Sequence, residues 1–265
     1  MTPACATSPT GTPRALRASP ESVAADTLED GQLYFHQWRS GRDIAVGDPV
    51  ADGFANYAYA LGDRGSGTAV LVDPSHAPVE LAERVAADGM TLVGAVLTHF
   101  HADHAGGAIG EYAIAGVAEL VAVSGVPVHL HIEDAEYLLA RSRLPASALV
   151  THHDHDRLAL GALAIDLLHT PGHTPGSQCL YTGELLLTGD TLFLLGCGRT
   201  DGPGGDAAAL YESLFSRLGS IPDATMVFPG HDYASAPAAT LGLLRARNPV
   251  LFNQRLEEWL ARFSG

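Results

Sequence analysis

Between residues 96 and 107 the chain reads VLTHFHADHAGG, which places His99, His101, Asp103 and His104 directly after a Val/Leu run. Three later stretches repeat the arrangement: TPGHTPGS with His173, LLTGDTLF with Asp190 and FPGHDY with His231. Imidazole and carboxylate are costly to bury unless something satisfies their lone pairs and charge. They are also the donors that zinc, iron and manganese accept. A lone loop histidine is ordinarily solvated or satisfied by backbone. An H-x-H-x-D-H cluster joined by three more donors at strand ends points instead to a metal centre.

The elements that must position these residues alternate between strands and helices. QLYFHQW, FANYAYAL, TAVLVDP and LVGAVLT read as strands, with GDRGSG as a turn between the second and third. APVELAERVAADG reads as a helix capped by Gly89, and helical AGVAELVAVSG, a strand VPVHLH and a helix from Glu133 to Ala140 follow. In the second half RLALGALAIDLLHT, QCLYTGELLLTGD and TMVFPGHD read as strands, each ending in a polar loop. Asp206 is the expected N-cap of DAAALYESLFSRLG, and Asn248 that of a last helix, NPVLFNQRLEEWLARF. The class is α/β with mixed sheets.

Composition narrows the partners. A chain of 265 residues that is 46% hydrophobic can bury a sizeable core. Its formal net charge of −15 repels phosphate backbones and anionic membranes, so neither nucleic acid nor membrane is expected as a partner. Residues 1–30, rich in Pro, Ser, Thr and Ala without an apolar h-region, read as a disordered tail and not a signal peptide, giving a cytoplasmic expectation and a domain over 31–265. Cys5, Cys179 and Cys197 are odd in number and widely spaced, so they imply no disulfide framework. There is no G-x-S-x-G nucleophile and no phosphate loop. THHDHD (151–156) is dense in donor types but precedes a strand and reads as a polar turn.

On H-x-H-x-D-H followed by His173, Asp190 and His231, the chain from about residue 31 to 235 resembles the metallo-β-lactamase superfamily. The resemblance implies a four-layer αββα sandwich: two mixed β-sheets face to face, helices outside, metals at one edge. It implies one metal on His99, His101 and His173, a second on Asp103, His104 and His231, and Asp190 bridging them. Asp190 stands where the β-lactamases themselves commonly carry a cysteine, which disfavours antibiotic hydrolysis. Two cations about 3.5–4 Å apart would share a water and lower its pKa to about 7, giving a hydroxide that attacks a carbonyl. Asp103 or Asp190 would take the proton.

Two branches are similar to this chain. TPGHTPGS and the full ligand set resemble glyoxalase II, a thioesterase acting on acyl-glutathione with two divalent ions, zinc first and iron or manganese as alternatives. GCGRTD (196–201), NYAYALGDRGSGTAVLVDP and GHDY look more like the persulfide dioxygenases, in which one Fe(II) would sit on His99, His173 and Asp190. The short stretch after His231 departs from the helical extension of glyoxalase II, and Gly202 stands where the dioxygenases carry phenylalanine. The expectation is a metallo-hydrolase of a small thioester or ester, with the dioxygenase as alternative. A non-catalytic metal-binding module is a lesser alternative, since no ligand is missing. Arg199 and Tyr233 are the candidate substrate contacts, the first for a carboxylate. Cys197 reads as a small buried residue. The apolar stripe of the last helix reads as core or as the surface of a homodimer.

Overall fold

The computed structural model describes residues 32–252 and 255–263; the expected tail lies outside them. The first half contributes β1 (Leu33–Arg39), α1 (Pro49–Phe54), β2 (Tyr57–Asp63), β3 (Thr68–Val72), α2 (Pro78–Ala87) and β4 (Thr91–Val96). Then come α3 (Ala102–Ala105), the hairpin β5 (Gly107–Ile109) and β6 (Tyr112–Ile114), α4 (Val117–Ser124), β7 (Val128–His131), α5 (Ile132–Arg141) and β8 (Leu149–His152). The second half contributes β9 (Arg157–Leu160), β10 (Leu163–His169), β11 (Gln178–Tyr181), β12 (Leu185–Gly189), α6 (Ala207–Glu212), β13 (Met226–Pro229), β14 (Ala239–Thr240), α7 (Leu241–Arg247) and α8 (Leu256–Phe263).

Two six-stranded sheets form, in the orders β1-β2-β3-β4-β7-β8 and β14-β13-β12-β11-β10-β9. Both are mixed: β3, β4, β7 and β8 run parallel, as do β12 and β13, while the other pairings are antiparallel. The inner faces meet through Phe35, Tyr59, Leu61, Val70 and Val96 on one side and Ile165, Leu167, Leu180, Leu187 and Phe228 on the other. Leu81 and Val85 of α2, Leu120 of α4 and Leu138 of α5 cover the outside of the first sheet. Leu210 of α6, Leu241 and Leu244 of α7 and Trp259 of α8 cover the second. This is the expected αββα sandwich, with apolar residues on both faces of its central strands as buried sheets require.

Local differences from the sequence reading have simple causes. RLALGALAIDLLHT and QCLYTGELLLTGD are hairpins, not single strands, because Gly161 (φ +57°) and Gly183 (φ +95°) turn the chain in conformations that favour glycine. The single helix expected from Asn248 is broken. Asn248 ends α7 in extended geometry, as a residue preceding proline is pushed to do, and only one tight turn over Pro249–Leu251 separates it from Phe252. Helix α1 is an addition to the reading: Asp48 caps it by accepting from the Val50 and Ala51 amides, with Pro49 in its first turn. No helix among the described residues is long and apolar enough to cross a membrane.

THHDHD folds only in part as the polar turn expected: Thr151 and His152 extend β8, and the turn begins at His153. His152 ends β8, and the following turn closes where the Asp156 carboxylate accepts from the His153 amide at 2.9 Å. The strands nevertheless gather imidazoles between the sheets at this edge: His129 Nδ1 lies 2.8 Å from His152 Nε2, and His131 stacks on His169 at 3.8 Å between ring centroids. Burial, with His152 beside it, pushes His129 down to about 4; burial, with His169 and His153, does the same for His131. An unfolded imidazole titrates near 6.5, so between those values the unfolded chain binds more protons and stability falls as pH falls. Urea midpoints measured from pH about 7 to about 4.5 should therefore decline, and His131→Gln should flatten part of that decline. A slope unchanged in the variant would remove His131 from the account.

Candidate metal centre

The donor-bearing loops share one edge because of strand direction. Strand β4 runs into the His99 loop, β10 into His173, β12 into Asp190 and β13 into His231. Strands β10 and β12 are both antiparallel to β11, and β13 is parallel to β12, so their C-terminal ends coincide. After His99 the chain turns into α3, a single turn that brings Asp103 and His104 onto the same side as His231.

Three groups of donor atoms result, each within 4.8 Å: His99, His101 and His173; Asp103, His104 and His231; and His99, His104 and Asp190, which joins the first two. In the first, His101 Nδ1 is 3.1 Å from His99 Nε2 and 2.9 Å from His173 Nε2. In the second, His104 Nε2 and His231 Nε2 are 3.2 Å apart, and each is 3.5 Å from Asp103 Oδ2. Asp190 stands between them. Its Oδ2 is 3.5 Å from His173 Nε2, while its Oδ1 is 3.4 Å from both His104 Nε2 and His231 Nε2.

The residues fit a pair of cations. Ligand nitrogens on a tetrahedral ion, with bonds of ~2.0–2.1 Å, stand about 3.3 Å apart, close to the separations seen. Asp190 Oδ1 is buried without a hydrogen-bond partner, an orphan a cation would satisfy. The ligand histidines turn their other nitrogens to fixed acceptors: His173 Nδ1 donates to the Arg199 carbonyl at 2.7 Å and His231 Nδ1 to the Phe54 carbonyl at 2.8 Å. His99 Nδ1 and Thr98 Oγ1 are 3.0 Å apart. That arrangement fixes the tautomer that presents Nε2 as a lone pair.

Asp73, at the end of β3, is the residue the sequence reading missed. Its Oδ2 accepts from His104 Nδ1 at 2.9 Å and from Thr98 Oγ1 at 2.7 Å, while Oδ1 accepts from the Thr98 amide at 2.8 Å. Through Thr98 it orients His99, so one buried carboxylate sets a ligand in each triad. The signal was present in TAVLVDP, where an aspartate ends a buried run like those before His99 and Asp190. Asn56 was also missed; its amide donates to Asp103 Oδ2 at 3.1 Å.

Electrostatics divides the site. Burial, reinforced by the neighbouring imidazoles, holds His99 well below the usual histidine range, and burial with His173 pushes His101 down to about 4. Burial opposes charge on His104 too, but Asp190 and Asp103 overturn it and raise the imidazole. Burial would raise Asp190 as well; His231 and His104 instead hold its carboxyl well below the carboxylate range. The carboxylates stay ionised, as ligation requires.

Close approach also demands glycine. A Cβ on Gly230 would collide with Asp190 Oδ1 and stand 2.9 Å from His104 Cε1. Gly230→Ala should strip metal from the protein while leaving the far-ultraviolet circular dichroism spectrum intact; unchanged metal content would show that the pocket yields.

Of the two expected substrate contacts, Tyr233 is at the centre and the Arg199 side chain is not. The Tyr233 ring stacks on His231 at 4.7 Å and 9°. The Arg199 guanidinium points to solvent and pairs with Asp201 at 2.5 and 2.8 Å, so only its backbone carbonyl reaches the centre. The cause is local: an aspartate two residues along holds the guanidinium at the surface. Cys197 is mostly buried, and burial pushes its thiol to about 12, the state of an inert packing residue.

The comparisons agree with this geometry. The family described as the metallo-β-lactamase superfamily matches residues 51–231. The human mitochondrial persulfide dioxygenase ETHE1 is 33% identical over 210 residues, 77% of this chain and 73% of the human protein. The hydroxyacylglutathione hydrolase of Anaeromyxobacter dehalogenans is 39% identical over 203 residues, 77% of this chain and 71% of that enzyme. The crystal structure of ETHE1 from Myxococcus xanthus superposes with a TM-score of 0.71 at 29% identity, covering 88% of this chain and 90% of that one. With its matched span enclosing six of the donors in register and closing on the seventh, His231, the chain belongs to the metallo-β-lactamase superfamily.

Proposed function

We propose that the protein is a metal-dependent hydrolase of a small thioester or related ester, of the hydroxyacylglutathione hydrolase type, working with two divalent ions, zinc first among them. The observation that carries this reading is Asp190, whose two oxygens face separate donor triads at 3.4–3.5 Å. Bound there, the ions supply a water acidified to a pKa of about 7 and a Lewis acid for the substrate's carbonyl oxygen.

The chain's own residues do the rest. His99, His101 and His173 would hold one ion and Asp103, His104 and His231 the other, with Asp190 available to both. Asp73 and Thr98 keep His104 and His99 in the binding tautomer. Asp103 and Asp190 border the reaction centre as ionised carboxylates, and one or the other would accept the single proton that the attacking water gives up. The buried histidine walls exclude bulk water from the far side of the site.

A second reading, a persulfide dioxygenase using one ferrous ion on His99, His173 and Asp190, is supported by the 33% identity to the human persulfide dioxygenase. Metal analysis of the purified protein separates the two, together with assays on a hydroxyacyl-glutathione thioester and on glutathione persulfide. Two zinc ions per chain with thioester hydrolysis support the hydrolase. One iron per chain with oxygen consumed on the persulfide moves the assignment to the dioxygenase.

A further inference from the structure

The loop after Asp190 carries an apolar edge that metal binding does not require. Phe193 and Gly196 close a tight turn, Phe193 N donating to Gly196 O at 3.1 Å. The fully buried Asn248 clamps this turn: its amide donates to the Phe193 and Gly196 carbonyls at 3.0 Å each, and its Oδ1 accepts from the Gly196 amide at 3.0 Å. A turn held by three side-chain bonds is rigid; it buries Phe193 against the site and presents Leu195 at its tip. The Phe193 ring meets His231 edge-on at 5.8 Å and Tyr233 at 5.4 Å. Leu195, at the tip, is 60% exposed, and Tyr233 beyond the His231 ring is 52% exposed.

Among the described residues, the charges nearest this edge in the chain are paired. Arg199 is paired with Asp201, and Asp232, next to Tyr233, is neutralised by Arg39 at 3.0 Å and Arg42 at 3.5 Å. An apolar edge tied to a ligand ring through the Phe193–Tyr233 and Tyr233–His231 contacts, with its neighbouring charges paired, favours an apolar fragment.

We propose that Phe193, Leu195 and Tyr233 form the acyl-group subsite, and that the preferred substrate is a thioester of an unbranched apolar acid. This rests on the hydrolase reading. The chain runs from the carbonyl at the metal centre across the exposed face of Tyr233 toward Leu195.

The test is a series of N-acetylcysteamine thioesters from acetyl to octanoyl on the metal-loaded enzyme, with the matching non-hydrolysable S-alkyl thioethers titrated by calorimetry. Both kcat/KM and 1/Kd should rise about two- to fourfold per added methylene until the shelf is covered. Leu195→Asp should flatten both slopes, whereas general damage would lower every member equally. A glutaryl ester, with a terminal carboxylate, should react more slowly than the valeryl ester of like length. Hydrolysis with a flat series, or a preference for glutaryl, overturns the subsite and leaves the hydrolase intact. Absence of hydrolysis throughout, with oxygen consumed on glutathione persulfide, overturns both.

Discussion

Asp190→Ala is expected to cut kcat/KM by about 10²–10⁴-fold and to lower the metal content of the purified protein. The magnitude follows from the ~3–5 kcal/mol lost when one partner of a buried ionic contact is removed, at 1.36 kcal/mol per tenfold. Among the described residues the side chain is the sole carboxylate facing both triads, at 3.5 Å from His173 and 3.4 Å from His104 and His231. Its loss leaves His104 and His231 crowded together without their main counter-charge. Asp190→Asn should be nearly as damaging, since an amide supplies one oxygen where the geometry uses two. Metal content and turnover at wild-type levels in both variants would sink the bridging assignment.

The second large effect is expected at a residue that touches no metal. Asp134, in the first turn of α5, is fully buried and accepts from the Phe100 amide at 3.1 Å, the Thr174 hydroxyl at 2.8 Å and the Gly176 amide at 2.6 Å. Phe100 lies between His99 and His101, and Thr174 follows His173, so one carboxylate pins both loops of the first triad. Asp134→Ala leaves three buried donors unsatisfied, at about 1–3 kcal/mol each before relaxation. We expect a loss of about 3–5 kcal/mol in urea unfolding, a large share of a typical domain's stability. Asp134→Asn, which keeps the volume, should lose less. A change below about 1 kcal/mol in Asp134→Ala would mean that the loops are held by other contacts.

How far the sequence led depends on whether a feature leaves a pattern in it. His99, His101, Asp103 and His104 are legible because a tight spacing follows an apolar run, and the fold class follows from alternating strand and helix patterns. Asp134 leaves no such pattern and Asp73 only the faint one of ending an apolar run: each is one aspartate whose partners, Phe100 and Thr174 or Thr98 and His104, are distant in the chain. The hairpin at Gly161 was hidden because apolar residues continue across the turn, whereas at Gly183 the polar Thr182-Gly183-Glu184 carried a turn signal that the apolar flanks outweighed. Arg199 misled because residue type suggested a substrate contact, whereas its neighbour Asp201 decided where the guanidinium goes. Leu195 and Phe193 sit in a loop whose shape depends on Asn248, beyond the reach of local pattern.

The donors are drawn from both sheets: His99 follows β4 in the first, whereas His173, Asp190 and His231 follow strands of the second. A cation seated among them is thus a fastener across the seam of the sandwich, and the open rim of that seam is where the apoprotein should breathe first. Since the ligands extend along the chain from His99 to His231, neither hemisphere synthesised alone owns a complete cage. Capture of metal must follow, and then reward, the joining of the halves.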